Sequence, residues 1–97
     1  SVLTSISNTK ITFPASYSGY ISIFANGKDA GGVSIKGLKY SADNISLKPS
    51  ISLGVSNEFV GERAEISVKD GNLLIIWHEN ASDFLENIDN FLYIKTL

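Results

Sequence analysis

Apolar and polar residues alternate strictly along four stretches of the chain: Val33-Ser34-Ile35-Lys36, Ile45-Ser46-Leu47-Lys48, Ile51-Ser52-Leu53 and Ala64-Glu65-Ile66-Ser67-Val68-Lys69. Successive side chains of a β-strand point to opposite faces, so a period of two makes one oily face and one wet face. The pattern predicts a chain of short strands. Val2 to Ile6 reads as a first strand. Lys10 to Phe13 reads as a second, closed by Pro14, which cannot donate a ladder hydrogen bond. After a turn at Ala15 to Gly19, Tyr20 to Ala25 forms a strand with Ile21, Ile23 and Ala25 on one face. Asn26-Gly27 is a favoured tight-turn pair because both residues tolerate positive φ.

Gly31-Gly32 releases the chain into the next strand. Val33 and Ile35 lie on its odd face, Leu38 and Tyr40 on its even face, which predicts a β-bulge at Gly37. Ser41 to Asn44 reads as a turn. Strand Ile45–Lys48 ends at Pro49, and strand Ile51–Val55 follows at once. Asn57 to Glu62 reads as a loop, Arg63–Lys69 as a strand, and Asp70-Gly71-Asn72 as a hairpin turn. Leu73–Trp77 is apolar on both faces, and Phe91–Ile94 is nearly so. Strands with two oily faces must be covered on both sides. Between them, Phe84, Leu85, Ile88 and Phe91 recur at helical spacing, with Asp83 placed to cap and Glu86 three residues later. A short helical turn near residues 83–90 is expected, with an irregular loop as the alternative. The whole predicts one all-β domain over residues 1–97: an antiparallel sandwich or barrel of about 7–8 short strands, of which a jelly roll is one solution.

Composition narrows the class. The chain has 97 residues, 43% hydrophobic and 19% charged, with net charge −2 from 8 basic and 10 acidic side chains. The basic residues are scattered, which argues against a nucleic-acid groove or an anionic membrane partner. No apolar run approaches the ~20 residues of a membrane span. No signal peptide opens the chain; Ser1 follows a removed Met, or the chain is a domain of something longer. The absence of cysteine removes disulfides, leaving packing or oligomerisation to stabilise a small domain.

No catalytic, metal or cofactor site is expected. His78 is the only histidine and no G-x-S-x-G elbow occurs. Asp83, Glu86 and Asp89 lack a calcium-loop pattern. The glycines match no phosphate-binding fingerprint. Asn44-Ile45-Ser46 and Asn80-Ala81-Ser82 match the glycosylation sequon, which arises by chance in a chain rich in Asn and Ser. Trp77, Tyr20 and Tyr93 lie within strands and are read as core or interface residues. Tyr17 and Tyr40 border turns and are freer to stack on a ligand. The expected ligand-binding residues are Tyr17, Tyr40, Asp43, Asn44, His78 and Asn80. Leu74, Ile76, Leu92 and Ile94, on the surplus apolar faces, form the expected oligomer interface.

Lys10-Ile11-Thr12-Phe13-Pro14 followed by Ser18-Gly19-Tyr20-Ile21-Ser22-Ile23 resembles the opening of the C-terminal head domains of bacteriophage tail fibres. Val60-Gly61-Glu62-Arg63-Ala64-Glu65-Ile66-Ser67-Val68 is similar to their late strand, and Phe91-Leu92-Tyr93-Ile94-Lys95 to their closing aromatic strand. The resemblance implies a non-enzymatic jelly-roll head that forms trimers and binds a host cell-surface glycan or protein. It would sit on a virion or extracellular appendage. The alternatives are a capsid- or tail-attached structural protein without a ligand, and a free-standing inhibitor or lectin in the cytoplasm.

Overall fold

A computed structural model of the chain describes residues 2–49, 55–78 and 95–96. Their strands are β1 (Val2–Phe13), β2 (Tyr20–Ala25), β3 (Ala30–Lys36), β4 (Ala42–Leu47), β5 (Val55–Glu58), β6 (Ala64–Trp77) and β7 (Lys95–Thr96). The all-β, antiparallel expectation holds. The strands join one seven-stranded sheet in the order β4-β3-β6-β1-β7, with β2 also on β6 and β5 on β2. The helical turn expected near 83–90 and the strand expected at Phe91–Ile94 lie outside the described residues, as does most of the strand expected at Ile51–Val55.

The frame is the antiparallel pair β1–β6. Fourteen residues of β6 would reach about 45 Å if straight, more than the 35 Å longest extent of the molecule. The strand therefore bends. Val2 to Ser7 pair with Trp77 to Asn72, and then the register jumps so that Thr9 pairs with Val68. Asn8 alone stands opposite Lys69, Asp70 and Gly71. Asn8 (φ 49°) and Gly71 (φ 82°) both take the left-handed conformation there. Each strand exchanges its faces at this point. In β6 the buried positions run Ala64, Ile66, Val68 and then Gly71, Leu73, Ile75, Trp77. The extra residues re-aim the strand so that both halves still look into one core.

The kink revises two sequence expectations. Asp70-Gly71-Asn72 is not a hairpin turn; it is the corner within one long strand. The expected strands Val2–Ile6 and Lys10–Phe13 are likewise a single strand bent at Asn8. Asn26-Gly27 does sit in a turn, but β2 and β3 do not pair with each other. They lie end to end along the same edge of β6, with Ile21↔Trp77 and Ala25↔Leu73 in β2 and Gly31↔Asp70 and Lys36↔Glu65 in β3. The turn crosses the corner, held by Asn26 N–H donating to the Asn72 carbonyl at 3.0 Å.

The core fills the curl of this sheet. Ile23 and Ile75 face one another across β2–β6 and are fully buried, with Val33, Ile35 and Ile66 beside them. Each such side chain contributes about 1.5–3 kcal/mol by leaving water. At one end Phe13 meets Trp77, Phe59 and Tyr17 with ring centroids 4.9, 5.3 and 5.7 Å away. The contacts with Trp77 and Phe59 are edge-to-face and add to the gain from burial.

Beyond β3 the chain stops being a regular strand at Gly37 (φ 77°), where a Cβ would collide with the Arg63 carbonyl oxygen. The face change expected at Gly37 is there, but the strand ends at Lys36. Leu38 makes an isolated bridge to Phe59, and Lys39 N–H donates to the Glu58 carbonyl at 3.0 Å. Tyr40 then pairs with a side chain. Its N–H donates to Asn57 Oδ1 at 3.0 Å, and Asn57 Nδ2 donates to its carbonyl at 2.8 Å. The buried Asn57 amide thus does for Tyr40 what a neighbouring strand would do, and its Oδ1 also accepts from Glu58 N–H. The stretch read from sequence as a loop from Asn57 is in fact the end of β5, and Phe59 belongs to the core. The turn expected at Ser41 to Asn44 overlaps β4, which begins at Ala42.

Two substitutions test this construction. A Cβ at Gly71 would lie 2.6 Å from the Asp29 carbonyl oxygen and 3.0 Å from Ala30 Cα. Backbone cannot yield as a flexible side chain does, so Gly71→Ala is expected to cost at least about 2 kcal/mol, measured by urea unfolding. Asn57→Ala removes three hydrogen bonds and leaves Tyr40's polar backbone unpaired. A loss of about 2–3 kcal/mol is expected in the same measurement; a change below about 0.5 kcal/mol would show that water replaces the amide.

Candidate functional site

β2 and β5 pair so that Tyr20 stands opposite Glu58 and Ser22 opposite Ser56. Side chains directly opposite on one face are neighbours. This places Tyr20, Ser56 and Glu58 together on the outer side of the sheet, away from Ile21 and Ile23. The segment Leu38–Tyr40, tied down by Asn57, closes the other side. The result is a cleft of about 310 Å³ lined by Tyr20, Lys39, Tyr40, Ser56, Asn57 and Glu58.

Its chemistry is specific. Tyr20 and Tyr40 are 66% and 58% exposed, the two most exposed large hydrophobic side chains among the described residues. Lys39 Nζ lies 3.8 Å from Glu58 Oε1 and 5.6 Å from the centre of the Tyr40 ring. One positive charge therefore rests between a carboxylate and an aromatic face. Ser56 adds an exposed hydroxyl. The backbone beneath is held by Asn57 and by Phe59, whose N–H donates to the Gly19 carbonyl at 3.0 Å. Flat rings, a negative charge and a rigid floor suit a small aromatic cation.

A second hollow on the same outer face is apolar. It has a volume of about 450 Å³ and is lined by Phe24, Ala25, Asn26, Gly27, Pro49, Leu74 and Ile76. Leu73, Ile75 and Trp77 point into the core, while Leu74 and Ile76 are half-buried and face this hollow.

The residues expected from sequence are dispersed. Tyr40 is in the cleft. Tyr17 is half-buried and packs on Phe13 and Phe59 beneath it. Asp43 and Asn44 are exposed on β4, where Asn44 takes φ 53° and its N–H donates to Ser34 Oγ at 3.0 Å. His78 is exposed just past the end of β6. Asn80, Leu92 and Ile94 lie outside the described residues. Sequence reasoning missed Tyr20, Lys39, Ser56, Asn57 and Glu58. The available signal was Tyr20 on the face opposite Ile21 and Ile23, which marks an outward ring rather than a core one. Among the described residues, no cluster of His, Cys, Asp or Glu is placed to hold a metal ion, and no helix is long and apolar enough to cross a membrane.

Comparisons with known proteins point away from phage. The chain resembles the solved thiamin pyrophosphokinase of Geobacillus thermodenitrificans, with TM-score 0.68 and 24% identity over 82% of this chain and 38% of that one. It resembles the thiamine pyrophosphokinase of Bacillus subtilis, with TM-score 0.66 and 22% identity over 75% and 35% of the two chains. A thiamin pyrophosphokinase family protein of Enterococcus faecalis gives TM-score 0.64 and 17% identity over 80% and 36%. The chain thus spans little more than a third of the length of these structures. No curated protein matches it. The family model of the thiamin pyrophosphokinase vitamin B1 binding domain matches residues 8–73. That match overturns the tail-fibre resemblance, whose strand-and-turn pieces are common to many β-proteins. With it go the host-receptor function, the structural and inhibitor alternatives, the non-enzymatic class and the virion or appendage location. The chain belongs to the thiamin pyrophosphokinase vitamin B1 binding domain family.

Proposed function

We propose that this chain is the thiamine-holding part of a thiamin pyrophosphokinase, and that the cleft of Tyr20, Lys39, Tyr40, Ser56, Asn57 and Glu58 receives the vitamin. The observation that carries the reading is the coincidence of that cleft with the family match. Both cross-strand partners and the closing segment fall within residues 8–73. Thiamine carries a permanent positive charge on an aromatic thiazolium ring, joined to an aminopyrimidine and a hydroxyethyl arm. The exposed faces of Tyr20 and Tyr40 suit the rings, and the Glu58 carboxylate suits the charge. Ser56 and the cleft's backbone groups supply partners for the polar edges.

The chain brings no glycine-rich phosphate loop. Its proposed share of the reaction is to bind and orient the acceptor alcohol. The nucleotide and its pyrophosphoryl group would be handled by the part of the relatives that this chain does not span. We also propose that the strands connect as a jelly roll. This is supported by the way β6 carries β4-β3 and β5-β2 onto two walls of one core.

Calorimetric titration of the protein with thiamine tests the assignment. Saturable binding is expected. Tyr40→Ala is expected to weaken it roughly 3- to 30-fold, the range of a cation–π contact. The uncharged hydroxyethyl-thiazole fragment is expected to give no saturable heat. Equal affinities for wild type and Tyr40→Ala would move the site elsewhere; absence of binding would remove the assignment.

A further inference from the structure

In the cleft the place best suited to a cation is taken by a side chain of the chain itself. Lys39 Nζ sits near the Tyr40 ring at 5.6 Å and beside Glu58 Oε1 at 3.8 Å. These are the two groups that would hold the charge of a ligand. Two cations cannot share them: like charges about 4 Å apart repel by about 1 kcal/mol even in bulk water, and by more near a protein surface. A ligand that brings a fixed positive charge must move the ammonium aside.

The rest of the geometry allows that movement. The Lys39 backbone is fixed by its hydrogen bond to Glu58, and its neighbour Tyr40 by the Asn57 amide. The Lys39 side chain, by contrast, is 52% exposed, and its contacts among the described residues are the ion pair and the ring contact. Exposed pairs of this kind are worth little, because both partners are well solvated. The ammonium can swing into water at small cost while the ring and the carboxylate stay in place.

We propose that Lys39 is a built-in stand-in for the ligand's cation, occupying the charge-binding position of the cleft until an aromatic cation displaces it. The proposal rests on the reading of the cleft as a cation site, with thiamine as its ligand. Its consequence runs against the usual rule that removing a site residue weakens binding. Lys39 competes with the ligand, so its loss strengthens binding.

The test is a calorimetric titration of wild type, Lys39→Met and Lys39→Arg, each with thiamine and separately with phenyltrimethylammonium, which carries the charge without the vitamin's rings. Lys39→Met keeps the length and the apolar stem but not the charge. It is expected to bind thiamine roughly three- to tenfold more tightly, while Lys39→Arg behaves as wild type. Thiamine bound equally or more weakly by Lys39→Met overturns the displacement and leaves the thiamine assignment standing. Phenyltrimethylammonium bound more tightly by Lys39→Met, with thiamine bound by none of the three, upholds the displacement and removes the vitamin. Binding of neither cation to any of the proteins overturns both.

Discussion

The architecture hangs on one irregularity shared by its two longest strands. A flat pair of the length of β1 and β6 would hold a sheet but enclose nothing. At Asn8 and Gly71 both backbones pass through the left-handed region together, and their inner and outer faces change places. Only a residue without a Cβ fits at Gly71, because the Asp29–Ala30 backbone crosses there. Asparagine is among the few other residues that accept the same conformation at low cost. Everything downstream follows from this corner. β2 and β3 can share one edge of β6 while diverging, so the sheet closes around Ile23, Ile75, Val33 and Ile66.

The corner also positions the cleft. β2 runs along the far half of β6 and carries β5 on its outer edge. Because β3 turns away at the kink, the chain after Gly37 comes back to meet β5 at Leu38–Phe59 instead of extending β3. Tyr40 arrives beside Glu58 with no strand to pair with among the described residues, and the Asn57 amide takes that role. A polar side chain in the interior is expensive unless it is satisfied. Here all three of its hydrogen bonds go to backbone whose placement the cleft needs. The aromatic cluster of Phe13, Tyr17, Phe59 and Trp77 anchors the same point from below.

Alternation made most strands legible from sequence, since Ile21, Ile23, Ile35, Ile66 and Ile75 obey the period of two that burial on one face requires. Corners were not legible. Asp70-Gly71-Asn72 has the composition of a hairpin turn, yet the same positive φ serves a bulge inside a strand; only the partner across the ladder decides which. Asn8 carried no signal of its own. Leu74 and Ile76 lie on the face of β6 opposite the core residues Leu73, Ile75 and Trp77. The apolar hollow they line is built from Phe24 and Pro49, far away in sequence. Of the cleft, Tyr40 was legible because it borders a turn. Lys39 and Glu58 were not, because a contact between β5 and the segment after Gly37 leaves no local pattern. The family was misread for a related reason: strand-turn punctuation repeats across unrelated β-proteins, whereas what distinguishes this one lies in which strands pair.

The pairing of β1 with β6 sets the order in which this protein can be made. Val2 pairs with Trp77 on one side and with Thr96 on the other, so among the described strands β1 has no partner until β6 has been synthesised. Closing so long a loop carries an entropic cost that helical bundles avoid, and topologies of this kind fold slowly. Until Trp77 emerges, the edge of Val2–Phe13 is open to pairing with any other extended chain. The exposed Ser7, Thr9 and Lys10, in the middle of that strand, keep the waiting edge polar and discourage such mispairing.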